Sequence, residues 1–168
     1  MNEMLEKNMF EIGDRFGRSF IMISLIYFVI GTLWMVLAVL LPGPSGLAGS
    51  MYDTGHWHVV FVGFVAFFLI GIAYYIAPRL GSRPLYSKRL GTIHFWATNI
   101  LLPVEVSLYI PITFVYQAVI NSPTFPSNLS GGLLALEFLM LIIFFVGISM
   151  QGLLAYNIFM TMRGNPVP

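Results

Sequence analysis

Over 168 residues the chain is 58% hydrophobic and only 9% charged, a balance that excludes a water-soluble domain and marks an integral membrane protein. Eight Lys and Arg against seven Asp and Glu leave a net charge of +1, which offers nothing to a nucleic acid. The absence of cysteine excludes disulfides, thiolate metal sites and cysteine-bound haem.

Leu5, Met9, Ile12 and Phe16 recur at helical spacing, with Glu3, Glu6, Lys7, Glu11, Asp14 and Arg15 between them. This pattern predicts a short interfacial helix over residues 1–18, the alternative being a frayed charged tail. A cleaved signal peptide is not expected, because the first apolar run is too long and its leader too acidic. Four apolar stretches follow, at about 19–41, 55–77, 93–120 and 133–160. Each reaches the roughly 20 residues that cross a bilayer core. None alternates as a barrel strand does, so helices are the way to satisfy their backbone in hydrocarbon. The expectation is an all-α membrane protein, one four-helix transmembrane domain over 1–168. Between the first two spans, Pro42-Gly43-Pro44-Ser45-Gly46 is turn chemistry, as is 121–130 with Pro123 and Pro126.

The basic residues orient the chain. Lys7, Arg15 and Arg18 precede the first span, Arg79, Arg83, Lys88 and Arg89 separate the second from the third, and Arg163 follows the fourth. The other two loops have none. Basic loops stay on the cytoplasmic side, so both termini are expected there, in a multi-pass protein of the cell (inner) membrane. The basic set also suits contact with anionic lipid.

Gly55-His56-Trp57-His58 opens the second span from the outer side. An intramembrane imidazole is a functional-site hypothesis by default. On a regular helix, residues two apart leave about 200° apart, so His56 and His58 do not readily chelate one ion. They suit two centres, one on either side of the helix, or one centre and one structural hydrogen bond. Gly63 and Ile70 fall under His56, and the missing side chain at Gly63 leaves room for a flat macrocycle. The plain alternative is that both rings only hydrogen-bond in the headgroup zone. Glu105 and Glu137 are carboxylates within spans, and Asp53 stands at the outer mouth. A charged side chain at the bilayer centre costs about 2.5 kcal/mol or more, so Glu105 and Glu137 are expected to face the interior or a wet cavity. They could serve proton transfer or orient a ligand histidine. Pro103 and Pro111 are expected to kink the third helix around Glu105.

The stretch from Gly55 to about Ile100 resembles the tenth-helix region of subunit I in the haem-copper oxidase superfamily, especially its C-type members. The resemblance rests on Gly55-His56-Trp57-His58, Gly71, Tyr74-Tyr75, Pro78-Arg79-Leu80, Leu85-Tyr86-Ser87-Lys88-Arg89-Leu90 and His94-Phe95-Trp96, in order and at fitting spacing. It implies that His56 takes the position of the ligand to the high-spin haem and His58 that of the ligand to the low-spin haem. It also implies a fold like one of the three four-helix arcs of that subunit. The active-site copper of the family needs three further histidines, and only His94 is left, so whether this chain is an enzyme stays open. His94 lies near the inner end of the third span, roughly 20 Å in depth from the pair. A packing or interfacial role is expected for it, and the second axial ligand of any haem is expected from another polypeptide.

The resemblance implies a haem-binding electron-transfer protein, b-type haem favoured, with one or two haems per chain or haem shared between chains. Its partners would be copies of itself or other respiratory subunits, with a quinone or a cytochrome as electron partner. Two alternatives stand beside this: a cofactor-free structural or assembly subunit of a respiratory complex, and a non-haem metal or proton-path protein using His56, Glu105 and Glu137.

Overall fold

The computed structural model describes residues 3–40, 51–120 and 127–163. They form α1 (Glu3–Leu40), α2 (Met51–His58), a π-helical segment (Val59–Ala66), α3 (Phe67–Leu80), α4 (Lys88–Ile120) and α5 (Ser127–Arg163). The π-helical segment joins α2 to α3, so the five α-helices make four rods. All four are long and apolar enough to cross a membrane, over Phe10–Leu37, Asp53–Leu80, Lys88–Val115 and Gly131–Arg163. The protein is therefore an all-α membrane protein with four membrane-crossing helices, and no strand occurs among the described residues.

The segment expected as a separate surface helix over 1–18 is, from Glu3 on, continuous with the first span. Its apolar face is spent on the bundle: Phe16 and Phe20 are buried, and Ile12 packs against the same cluster. Asp14 is neutralised from α3, where the Arg79 guanidinium donates to both of its carboxylate oxygens at 2.6 and 3.0 Å. The charges that suggested a surface helix are thus partly answered inside the fold.

Close approach of α1 to the second rod depends on small residues, as is usual where no water drives helices together. A Cβ on Gly17 would lie 2.9 Å from the Gly71 carbonyl oxygen, and one on Gly71 would lie 2.8 Å from that of Gly17. Above this crossing an aromatic core forms around Phe20. Its ring stacks on Tyr74 at 5.7 Å and meets Phe67 and Phe95 edge-on at 5.4 and 5.1 Å.

Packing follows chain order. The first rod lies on the second, the second on α4 and α5, and α4 on α5, while α1 and α5 do not touch among the described residues. The result is an open arc rather than a closed bundle. Most of α5 faces outward with large apolar side chains such as Leu134, Phe138, Phe145 and Phe159 exposed. It is fastened at one end by two fully buried polar residues. Asn157 accepts from the Ser87 amide and donates to the Ser87 carbonyl, both at 3.0 Å, and the Thr161 hydroxyl accepts from the Tyr86 amide at 3.0 Å. These bonds satisfy backbone groups of the turn between α3 and α4 that would otherwise be orphaned.

Candidate functional site

His56 and His58 close α2, immediately before the helix widens into its π-helical segment. Such wide turns recur at functional sites because the altered hydrogen bonding re-aims side chains. The His58 Nδ1 lies 2.9 Å from the Thr54 carbonyl oxygen. A carbonyl only accepts, so Nδ1 carries a proton, and in the neutral ring Nε2 keeps its lone pair. Around Nε2 the contacts are long: Glu105 Oε1 and the Tyr109 hydroxyl, each at 3.5 Å. Both exceed the usual hydrogen-bond length of about 2.9 Å, leaving Nε2 without a short partner. The Tyr109 ring lies 5.2 Å from the imidazole, centroid to centroid.

His58 and Glu105 line a groove of about 220 Å³ between the second rod, α4 and α5. The rest of its wall is largely apolar, with Val62, Ile143 and Phe144, and Gln151 as a further polar group. His56 does not line this groove. It is buried, its ring lies 5.3 Å from that of Trp57, and its Nδ1 is enclosed without a hydrogen-bond partner among the described residues. An enclosed polar nitrogen left unpaired costs about 1–3 kcal/mol.

The other residues singled out from the sequence separate. Gly63 does not stand open for a macrocycle: a Cβ there would lie 2.6 Å from Tyr27 Cγ, so α1 fills the space. The π-helical segment also breaks the regular phase that had aligned Gly63 beneath His56. Glu137 is exposed on α5 and lines a different hollow with Leu134, Phe138 and Leu141. Asp53 is half-buried in the first turn of α2, where a carboxylate suits the helix dipole. His94 is fully buried in the aromatic core, with the Tyr74 hydroxyl 3.2 Å from its Nδ1 and Phe20 5.3 Å away ring to ring. Fifteen residues of α4 separate it from Tyr109, about 22 Å along the axis. His56, Glu105 and Glu137 do not converge, and no three metal-ligating side chains group together among the described residues. Tyr109 is the site residue that sequence reasoning missed, and its position four after Glu105, on the same helix face, was the available signal.

For haem, the cofactor implied by the resemblance, His58 has the right chemistry. Its Nδ1 is fixed by a carbonyl, its Nε2 is unpaired by any short bond, and an apolar groove adjoins it. No second histidine shares that groove. The described residues thus offer one histidine that would hold a haem at this groove, and any further ligand would come from outside it.

Residues 16–107 match the family described as Cytochrome C and Quinol oxidase polypeptide I, a stretch that takes in both histidines of α2, His94 and Glu105. Cytochrome c oxidase polypeptide 1 of Halobacterium salinarum is 35% identical over 69 residues, covering 41% of this chain and 12% of that protein. The cbb3-type cytochrome c oxidase subunit CcoN1 of Stutzerimonas stutzeri is 30% identical over 88 residues, 51% of this chain and 19% of the relative. The bacteroid cytochrome c oxidase subunit 1 homolog of Bradyrhizobium diazoefficiens is 36% identical over 53 residues, 32% of this chain and 10% of the relative. The matched stretch thus spans less than a fifth of the length of each of these relatives. No solved structure matches the chain.

Proposed function

The chain belongs to the cytochrome c and quinol oxidase polypeptide I family, and from that premise we propose that it is a haem-binding electron-transfer protein of the inner membrane. His58 would hold the haem through Nε2, and a second copy or another respiratory subunit would supply a further ligand. A symmetric dimer supplies the same histidine twice. A haem held there, b-type favoured, would supply one-electron redox chemistry toward a quinone or a cytochrome. His56, whose enclosed Nδ1 lacks a partner, is the candidate ligand of a second haem on the opposite side of the helix. Both termini lie on the cytoplasmic side in this reading, which the basic loops support.

The chain's own residues have distinct tasks. The Thr54 carbonyl holds the His58 ring and its tautomer, which leaves Nε2 facing the groove. Val62, Ile143 and Phe144 keep water from it, while Glu105 and Tyr109 stand beside Nε2 as hydrogen-bonding groups. The observation that carries this reading is the His58 imidazole, oriented at one nitrogen and free of a short bond at the other, beside an apolar groove.

Absorption spectra of the purified protein, oxidised and reduced, test it. A Soret band and a pyridine haemochrome are expected for the wild type, with loss of a haem component in His58→Ala. Two haems predict that His56→Ala removes a different component, and one haem predicts that it is silent. Colourless protein from haem-replete cells refutes the reading. A second reading, a cofactor-free structural or assembly subunit, draws support from the apolar outer face of α5, which could join a larger helical assembly. Colourless protein that copurifies with oxidase subunits would favour it.

A further inference from the structure

At the end of the bundle that carries its basic residues, α1 and the start of α4 diverge around a cavity of about 550 Å³. Arg15 from α1 and Lys88 from α4 line it, with Trp96 and Phe95 as aromatic walls. An adjoining hollow of about 420 Å³ shares Arg15, Ser19 and Phe95 and adds Arg18, with Met22 and Ile23 continuing its floor along α1. We infer that this cleft is a binding site for an anionic phospholipid, its headgroup phosphate held between Arg15 and Lys88 and its acyl chain along Met22 and Ile23.

Three features carry this. The cations are uncommitted: among the described residues the Lys or Arg ion pair is Arg79 with Asp14, so Arg15, Arg18 and Lys88 pair with no described carboxylate. Glu11 is the one carboxylate in the lining, and it leaves positive charge in excess. The Ser19 hydroxyl makes no hydrogen bond to the described residues and is available to a phosphate oxygen. Finally, the cleft changes from charged to apolar along α1, as a lipid does. It lies near the first residue of one membrane-crossing segment, Lys88, and the sixth of another, Arg15, with Trp96 60% exposed at its rim. Aromatic side chains favour that depth. A free phosphate ion would have no use for the apolar part.

The test uses the full chain with Trp34→Phe and Trp57→Phe, which leaves Trp96 as its one tryptophan. In nanodiscs, acyl-brominated phosphatidylglycerol is expected to quench Trp96 at lower mole fraction than brominated phosphatidylcholine. A basic side chain near an anionic surface is worth about 1 kcal/mol, so each of Arg15→Gln and Lys88→Gln is expected to reduce that preference about fivefold. Arg89→Gln, exposed but outside the cleft, is expected to leave it unchanged. Equal quenching by the two lipids, or an equal loss in Arg89→Gln, overturns the proposal in favour of a diffuse surface potential. Displacement of the lipid by inorganic phosphate overturns it in favour of a free-anion site. Should the double tryptophan variant misfold, native mass spectrometry of the wild-type chain reads the same preference from retained lipid, and no retention of phosphatidylglycerol over phosphatidylcholine is then the refuting result.

Discussion

Asn157→Ala tests how the fourth membrane-crossing helix is held, and through it the wall of the His58 groove. Asn157 is fully buried and makes two 3.0 Å hydrogen bonds to the Ser87 backbone, one as donor and one as acceptor. Two such bonds contribute about 1–3 kcal/mol in all, and more if the Ser87 groups stay dry and unpaired. At this end α5 is held as well by Thr161 on Tyr86, by Leu154 and Ile158 against the aromatic core and by the edge-on contact of Tyr156 with Tyr86, so the loss is expected to loosen the helix rather than release it. At about 2–4 °C per kcal/mol for a chain of this size, the thermal midpoint in detergent is expected to fall by roughly 2–12 °C. Ile143, Phe144, Gly147 and Gln151 of α5 wall the groove, so protease sensitivity of α5 is expected to rise and any Soret band to weaken in the same variant. An Asn157→Ala protein with the wild-type midpoint and the wild-type digestion pattern would refute the clamp.

Gly63→Leu forces a side chain into the Tyr27 ring and is expected to destabilise by about 1–3 kcal/mol, with partial rescue by Tyr27→Ala in a melting series. His94→Ala is expected to cost about 2–4 kcal/mol through the cavity it opens in the aromatic core, yet to leave any Soret band in place; loss of that band at wild-type stability would make His94 a ligand. Breaking the partly exposed Arg79–Asp14 pair with Asp14→Asn is expected to lower stability by less than about 1 kcal/mol, read from the same melts at low and high salt. Glu105→Gln is expected to leave any Soret band in place while shifting its position, since it changes a hydrogen-bonding group 3.5 Å from His58 Nε2; an unchanged spectrum would place Glu105 outside the influence of the site.

The four spans were legible because hydropathy and length are properties of the segment itself, and the match to the family extends through the His56 and His58 region. Tertiary contacts decided the rest. Residues 1–18 read as an amphipathic surface helix because the partner of Asp14 lies 65 positions away at Arg79, beyond any local pattern. The π-helical run Val59–Ala66 carries no signal in its composition, and the alignment of Gly63 with His56 failed for that reason. Glu105 came to the site and Glu137 did not, although both are carboxylates in apolar spans. The difference lies in which face of α4 and α5 meets the second rod, and the uniformly apolar α5 sequence does not mark one. His58 was legible as a candidate, but its fixed tautomer depends on the Thr54 carbonyl, which any residue type could have supplied.

The π-helical run has a consequence for how this chain tolerates length changes. A wide turn holds one residue more than an ordinary one, so a single deletion between Val59 and Ala66 could be absorbed by tightening the coil. The tightened turn still closes a full circle, so the residues on either side of the deletion would keep their facing. The lower half of the rod, anchored by Phe67 and Tyr74, would stay seated, and the imidazoles would stay turned toward Glu105 and Tyr109. The same deletion in the regular coil of α3 has no surplus residue to give up and would swivel the two halves by about 100°, the angular step of one residue.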